Sequence, residues 1–193
     1  MEDYMFASKN LTAGELNAIV KKLGGEEGAR KLLRDELVIF KPISQIIQID
    51  RSKPFDPVNF IVAGWSIEEQ DEKSLALTKV DLAKVVFETT LEKNEKNIKG
   101  EERLERLKEK NVVRLDAKIF QMLWENQHLI PENWKEKTNG NTTYIFFDGT
   151  VLRSSDGRRY VLYLCWDGGE WDGDYGWLGG GFGASDPSVV LAS

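Results

Sequence analysis

The sequence predicts an α+β protein, with helices in its N-terminal part and strands toward its C-terminus. Near the start, apolar residues recur at the three- and four-residue spacing of a helix. In the last third, short β-rich runs are separated by Asp-Gly pairs, a pattern typical of strands and turns. The charged run over residues 94–110 predicts a solvated helix or linker. We therefore expect two domains, residues 1–110 and 111–193.

The N-terminal part predicts two helices. The run Thr12-Ala-Gly-Glu15 has the pattern of a capping box, and the apolar stripe that follows it ends at Gly24-Gly25. A second helix is predicted over residues 26–37. The basic residues of this pair are matched by acids, which favours a packing module over a DNA-binding helix-turn-helix.

The middle of the chain predicts strands and then a charged helical region. Residues 43–49 and 58–62 are β-rich and bounded by prolines, which is typical of strands. From Ser66 the pattern becomes helical and strongly charged. Residues 40–110 carry no motif that indicates a role.

The C-terminal part predicts one helix and three strands. Asp116 is expected to cap a helix with Ile119, Phe120 and Leu123 on one face, ended by Pro131. Strands are predicted over residues 142–147, 150–153 and 160–166, with turns at residues 148–149 and 156–157. Past Trp166 the glycines are too numerous and the aromatic spacing too irregular for a simple strand. Trp166 and Trp171 are expected to be structural.

Charge is concentrated at the C-terminal end of the chain. The net charge is −6, and residues 160–193 contain five acids but no lysine or arginine. The rest of the chain has 27 acids against 26 bases, so nucleic acid is not expected as a partner. No run is long and apolar enough for a membrane span, and no leader pattern precedes the first helix, so we expect a cytoplasmic protein. The single cysteine, Cys165, excludes an intrachain disulfide and is expected to be packed.

Signatures of catalysis and of metal binding are incomplete in this sequence. The only histidine, His128, has no accompanying nucleophile motif, and no phosphate-binding or hydrolase motif is present. Glu170, Asp172 and Asp174 alternate like the first ligands of a calcium loop, but the sixth and twelfth positions do not fit. A different oxygen-ligand calcium site stays open, whereas a glycosidase pair is disfavoured because the acids are too close in sequence. We expect no catalytic residue, no metal and no cofactor.

The C-terminal sequence resembles the variable proteins of diversity-generating retroelements. The resemblance is carried by the run from Phe147-Asp-Gly-Thr through Tyr160-Val-Leu-Tyr-Leu-Cys-Trp-Asp-Gly-Gly to Trp171, by Tyr175-x-Trp-Leu, and by Asp186-Pro-Ser-x-Val-Leu-Ala-Ser. Residues 16–37 are similar to a leader found in small proteins of uncultivated, small-genome bacteria. Together these segments cover about a third of the chain.

The resemblance implies a C-type-lectin-like C-terminal domain that displays a hypervariable ligand-binding surface. In such systems a reverse transcriptase mutates template adenines, largely in AAY codons, which cannot become codons for Trp, Glu, Lys, Gln or Met. Trp171, Trp177 and Leu178 would then form the scaffold. The implied ligand-binding positions are Asp172, Asp174, Tyr175, Gly176, Gly179, Gly180, Gly181, Phe182, Gly183, Ala184 and Ser185.

We therefore expect a non-catalytic protein that binds an unknown protein or small ligand through this segment. Tyr175 and Phe182 would be its aromatic contacts, and Asp172 and Asp174 its polar ones. The many glycines depart from the family pattern and predict a shallow site with few side-chain contacts. The alternative is a structural or protein-interaction module whose Trp-rich C-terminus only completes the core.

Overall fold

The computed structural model describes residues 12–22, 25–33 and 45–192. Residue contacts divide the chain into two units, Met1–Ile43 and Ser44–Ser193. In the first unit the structure describes helix α1 (Ala13–Lys22) and helix α2 (Glu26–Leu33). Residues 34–37, where the second predicted helix continues, lie outside the described residues. The expected domain boundary at residues 110–111 lies within the second unit.

The second unit is a mixed α/β structure with sheets and few helices. Its helices are α3 (Pro57–Phe60), α4 (Glu72–Leu75), α5 (Gly100–Glu109) and α6 (Ala117–Glu125). Its strands are β1 (Ile46–Gln48), β2 (Ser66–Gln70), β3 (Lys79–Asp81), β4 (Val86–Glu88), β5 (Asn97–Lys99), β6 (Val113–Arg114), β7 (Tyr144–Arg153), β8 (Arg159–Asp167), β9 (Glu170–Trp177), β10 (Gly181–Gly183) and β11 (Ser188–Leu191). Across the described ranges, no helix has the length and apolar character needed to cross a bilayer.

A seven-stranded sheet organises this unit. Its main path runs β4-β11-β7-β8-β9, while β2 pairs with β7 and β6 pairs with β11. Strands β7, β8 and β9 form an antiparallel meander, and β11 joins β7 in parallel at Ser188 and Phe146. Two small sheets, β1 with β3 and β5 with β10, complete the architecture.

The sheet separates two hydrophobic cores. Successive side chains of a strand point to opposite faces of the sheet, and residues paired across antiparallel strands share a face. On one face, Leu162 and Leu164 of β8 belong to the larger core with Phe120 of α6. On the other, Val161 joins a smaller core with Leu104 of α5, and with Phe146, Leu178 and Phe182. The C-terminal segment therefore contributes to both cores.

The predicted turn at Asp148-Gly149 is wrong. Strand β7 runs through these residues, with a shift in its pairing to β8 between Phe147 and Leu152. A Cβ at residue 149 would lie 2.1 Å from the backbone oxygen of Arg114, so glycine permits the close approach of β6. The Asp-Gly pair therefore marks a close backbone contact and not a chain reversal.

The charged run over residues 94–110 contains helix α5, one of the two predicted alternatives, but one side of this helix is packed and not solvated. Arg103, Leu104 and Leu107 of α5 are buried, and Arg103 Nη2 lies 2.5 Å from Asp148 Oδ1 in a fully buried ion pair. Arg103 also donates to the backbone oxygen of Asp186 at 2.7 Å. Helix α5 is therefore fixed to β7 and to the C-terminal segment through one guanidinium group.

Two more local predictions are corrected by the structure, and two are confirmed. Residues 57–60 form helix α3, not a strand, with Asp56 accepting from the Val58 amide as N-cap. The segment from Ser66 begins as strand β2 and not as a helix. Asp116 caps α6 as expected, and β8 covers the third predicted strand.

Candidate functional site

Strand β9 forms an edge of the seven-stranded sheet and carries the first predicted site residues. It pairs with β8 along its whole length and with no other strand among the described residues. The expectation that this segment is too glycine-rich for a strand is therefore wrong. Its entry turn contains Gly168 and Gly169 at φ values of 58° and 94°, where glycine avoids the strain of a side chain.

One face of β9 is acidic. Glu170, Asp172 and Asp174 pair with residues Asp167, Cys165 and Tyr163 of β8, so their side chains share that face. All three acids are exposed. The carboxylates of Asp172 and Asp174 each accept from the backbone N–H of the next residue at 2.8 Å.

Tyrosines from β7 and β8 extend the acidic face. Tyr144 pairs with Cys165, and its ring packs edge-to-face on Tyr163 with centroids 5.3 Å apart. The Tyr144 amide donates to the Ser185 backbone oxygen at 2.8 Å, which places the predicted site residue Ser185 beside the start of β7. The sequence reading missed both tyrosines, although period-two alternation in the predicted strands could have placed Tyr163 on the Cys165 face.

The acids impose a negative potential on this face. The pKa of the Cys165 thiol is raised to about 11, first by burial and then by the charges of Asp172, Asp167 and Asp174. The pKa of Tyr163 is also raised, first by burial and then by nearby charge, of which Asp174 contributes most. Cys165 is buried, which confirms the expectation that it is packed.

The opposite face of β9 is aromatic. Trp171, Tyr175 and Trp177 alternate along it, and Trp171 is buried as expected. Tyr175 is 40% exposed and packs on Trp65 and Tyr160, with centroids 4.7 and 5.3 Å away. The contribution of Trp65 was not visible in the sequence, because residue 65 lies more than a hundred positions earlier.

Trp177 does not belong to the buried scaffold. Half of its surface is exposed, and Arg158 lies over its ring at 5.7 Å. Leu178, by contrast, is fully buried as the scaffold reading requires. Successive side chains along a strand point to opposite faces. At the end of β9, Trp177 therefore faces the surface and the next residue, Leu178, faces the core.

A groove of about 220 Å³ opens beside the aromatic face. Phe60 and Ile61 line one side, and Phe120, Leu162 and Tyr175 are also part of its wall. Gly173 also lines the groove. A Cβ at this position would lie only 3.0 Å from the Trp124 ring. A larger residue at position 173 would therefore meet helix α6.

Phe182 is a core residue and not an exposed aromatic contact. Its side chain is 4% exposed, and its ring lies 4.9 Å from that of Phe146. The Arg103 guanidinium stacks on it at 4.0 Å, and burial lowers the pKa of Arg103 although Asp148 opposes that shift. The expectation that Phe182 contacts a ligand is therefore corrected, because removing it would open the smaller core.

The glycines among the predicted positions differ in the space around them. A Cβ at Gly176 would lie 2.6 Å from the Phe146 ring, so this position is closed by packing. Positions 180 and 183 are tight, with backbone oxygens at 3.0 and 3.1 Å, and a Cβ at Gly179 would lie 2.2 Å from the Trp177 ring. Gly181 is exposed and meets only ordinary contacts, the nearest at 3.6 Å.

The structure separates the predicted site residues. Asp172 and Asp174 lie on one face of the sheet, Tyr175 lies on the other, and Ser185 lies beside the start of β7. Ala184 and Gly181 are exposed in the β10 region. Within the described ranges, no three His, Cys, Asp or Glu side chains are arranged to hold a metal ion. The chain matches no protein-family model, no curated protein and no solved structure.

Proposed function

We propose that this chain is a non-catalytic ligand-binding protein that uses the exposed side chains of its C-terminal segment. The observation that carries the proposal is the exposure of both faces of β9. Acids project from one face beside Tyr144 and Tyr163, while Tyr175 and Trp177 project from the other. Rigid aromatic groups beside adaptable polar groups are typical of protein recognition surfaces.

The site is smaller than the sequence alone predicts. Six predicted positions are exposed or partly exposed and are not glycines with a close neighbour at the Cβ position, namely Asp172, Asp174, Tyr175, Gly181, Ala184 and Ser185. Gly176 and Phe182 are assigned to packing. The partner is a protein or a small ligand and not nucleic acid, because the acidic row would repel phosphates.

The retroelement relationship and the C-type-lectin-like fold belong to the same proposal. The mixed α/β architecture and the β7-β8-β9 meander support it. Sequencing the locus tests it: a near-repeat of the C-terminal coding DNA should lie beside a reverse-transcriptase gene. Its differences should be confined to template adenines in codons of the six exposed positions, and the codons of Trp171, Leu178 and Phe182 should be unchanged. A locus without such a repeat would remove the retroelement part of the proposal.

The structural alternative is tested by comparing exposed and buried residues. We expect the triple replacement of Asp172, Asp174 and Tyr175 by serine to lower the free energy of unfolding by only about 1–2 kcal/mol, mostly through Tyr175. The control Phe182→Ala should cost about 3–5 kcal/mol, because it empties a buried site. Chemical denaturation measures both. If the triple variant loses as much stability as the control, the segment only completes the core.

A further inference from the structure

We propose that β9 is a docking edge for an extended segment of a partner protein in which basic and apolar residues alternate. The inference rests on the proposed ligand-binding function and names the class of partner. Strand addition to a sheet edge uses backbone hydrogen bonds for affinity and alternate side chains for specificity. Each of these requirements corresponds to a feature of β9.

The first feature is the open edge. All eight residues of β9 pair with β8, and its other side pairs with no strand among the described residues. The Asp172 and Asp174 carboxylates accept from the backbone N–H groups of Gly173 and Tyr175. An incoming strand replaces these two carboxylates with its own carbonyl oxygens, and the carboxylates turn to its basic side chains.

The second feature is the acidic row. Glu170, Asp172 and Asp174 repeat at the two-residue period of a strand, and Asp167 lies beside Glu170 across the register. None of the four forms an ion pair among the described residues. No lysine or arginine occurs from residue 160 to the end of the sequence. Burial raises the pKa of Cys165 beneath the row, and the charges of Asp172, Asp167 and Asp174 raise it further. Basic residues at alternate positions of a docked strand would lie opposite these charges.

The third feature is the aromatic row on the other face. Tyr175 and Trp177 are exposed there, and the groove of about 220 Å³ has apolar walls at Phe60 and Leu162. The intervening residues of a docked strand point to this face. Apolar side chains at these positions would cover the rings and enter the groove. Because both rows share one strand, the partner must alternate in the same register.

Charge also excludes a second copy of this chain as the occupant. Pairing β9 with β9 would bring the acidic rows of two copies together, and like charges in opposed strands are unfavourable. A basic strand instead removes the repulsion within the row. The geometry therefore favours a heterologous partner.

The test uses the full chain and a short synthetic peptide of alternating lysine and valine. Nitrogen–proton NMR should show slowed hydrogen exchange at the Gly173 and Tyr175 amides, which bond side-chain carboxylates in the free chain, when the peptide is added. A peptide of the same composition with lysines and valines in separate blocks should bind at least about tenfold more weakly, because its register does not match. N-methylation of the alternating peptide at alternate residues should also abolish the protection.

Charge is tested with the double variant Asp172→Asn and Asp174→Asn, which keeps an oxygen acceptor at both positions. We expect about a tenfold loss of affinity at low salt and a smaller difference at high salt. The matched control is Glu92→Gln with Glu109→Gln, two exposed acids in a loop and in α5, and it should bind like the original chain.

Three results would overturn the inference: no added protection of the Gly173 and Tyr175 amides, equal binding of the block peptide, or full protection of these two amides before the peptide is added. The last result would mean that another copy or another segment already occupies the edge. If the peptide fails while the triple serine variant stays stable, the partner class is wrong and the ligand-binding proposal stands. If the triple variant also loses the stability of a core variant, both proposals fail.

Discussion

Replacing Gly176 by alanine tests whether packing closes part of the segment expected to vary. A Cβ at this position would lie 2.6 Å from Phe146 Cε1, well inside normal contact distance. The Phe146 ring cannot move freely, because Tyr163 and Phe182 lie against it with centroids 5.1 and 4.9 Å away. Overpacking a core of this kind costs about 1–3 kcal/mol. Alanine also lowers the conformational entropy of the unfolded chain, which stabilises the fold by about 0.4–1 kcal/mol. The free energy of unfolding should therefore fall by roughly 1–2 kcal/mol in total.

Gly181→Ala is the matched control, since it makes the same chemical change on β10, the next strand along the chain. Its nearest contact would be Asn97 at 3.6 Å, which is an ordinary distance. We expect the free energy of unfolding to stay unchanged or to rise by up to about 1 kcal/mol. Urea denaturation of the two variants and the original chain measures the difference. Equal stability of the two variants would refute the packing argument.

Three further predictions follow from the buried groups. Arg103→Met should lower the free energy of unfolding by about 3–5 kcal/mol in urea denaturation, because it leaves the buried Asp148 carboxylate without its cation. Adding Asp148→Leu should recover part of the loss. A loss below about 1 kcal/mol in the single variant would contradict this prediction. Gly149→Ala should prevent stable folding, measured by circular dichroism, because its Cβ would lie 2.1 Å from the backbone oxygen of Arg114; a cooperative transition near that of the original chain would disprove it. The pKa of Cys165 in the folded chain, followed by the carbon-13 shift of its Cβ, should be about 11, because burial and the nearby acids raise it; an ordinary thiol pKa would contradict this.

Local signals in the sequence predicted the elements whose boundaries are set locally. Asp116 caps α6 through its own side chain, and alternation over residues 160–166 indicated β8. In both cases neighbours along the chain determine the structure. The Asp-Gly pair at residues 148–149 misled because Gly149 is required by a contact with β6, more than thirty residues earlier.

The same distinction explains which parts of the site were predicted. Asp172 and Asp174 were identified, and their alternation places them on one face once β9 is known to be a strand. Phe182 was assigned to the surface because nothing nearby in sequence reveals Arg103, which stacks on it from α5. Gly176 was expected to vary for the same reason, since its constraint comes from Phe146 on another strand.

The central claim is that exposed positions of the C-terminal segment are free to change while their neighbours hold the fold. Two libraries of the full chain test it most directly, one randomised at Asp172, Asp174, Tyr175, Gly181, Ala184 and Ser185, the other at Gly173, Gly176, Leu178 and Phe182. The fraction of protease-resistant members is measured for each. We expect most members of the first library and few members of the second to stay folded. Similar fractions in the two libraries would contradict it.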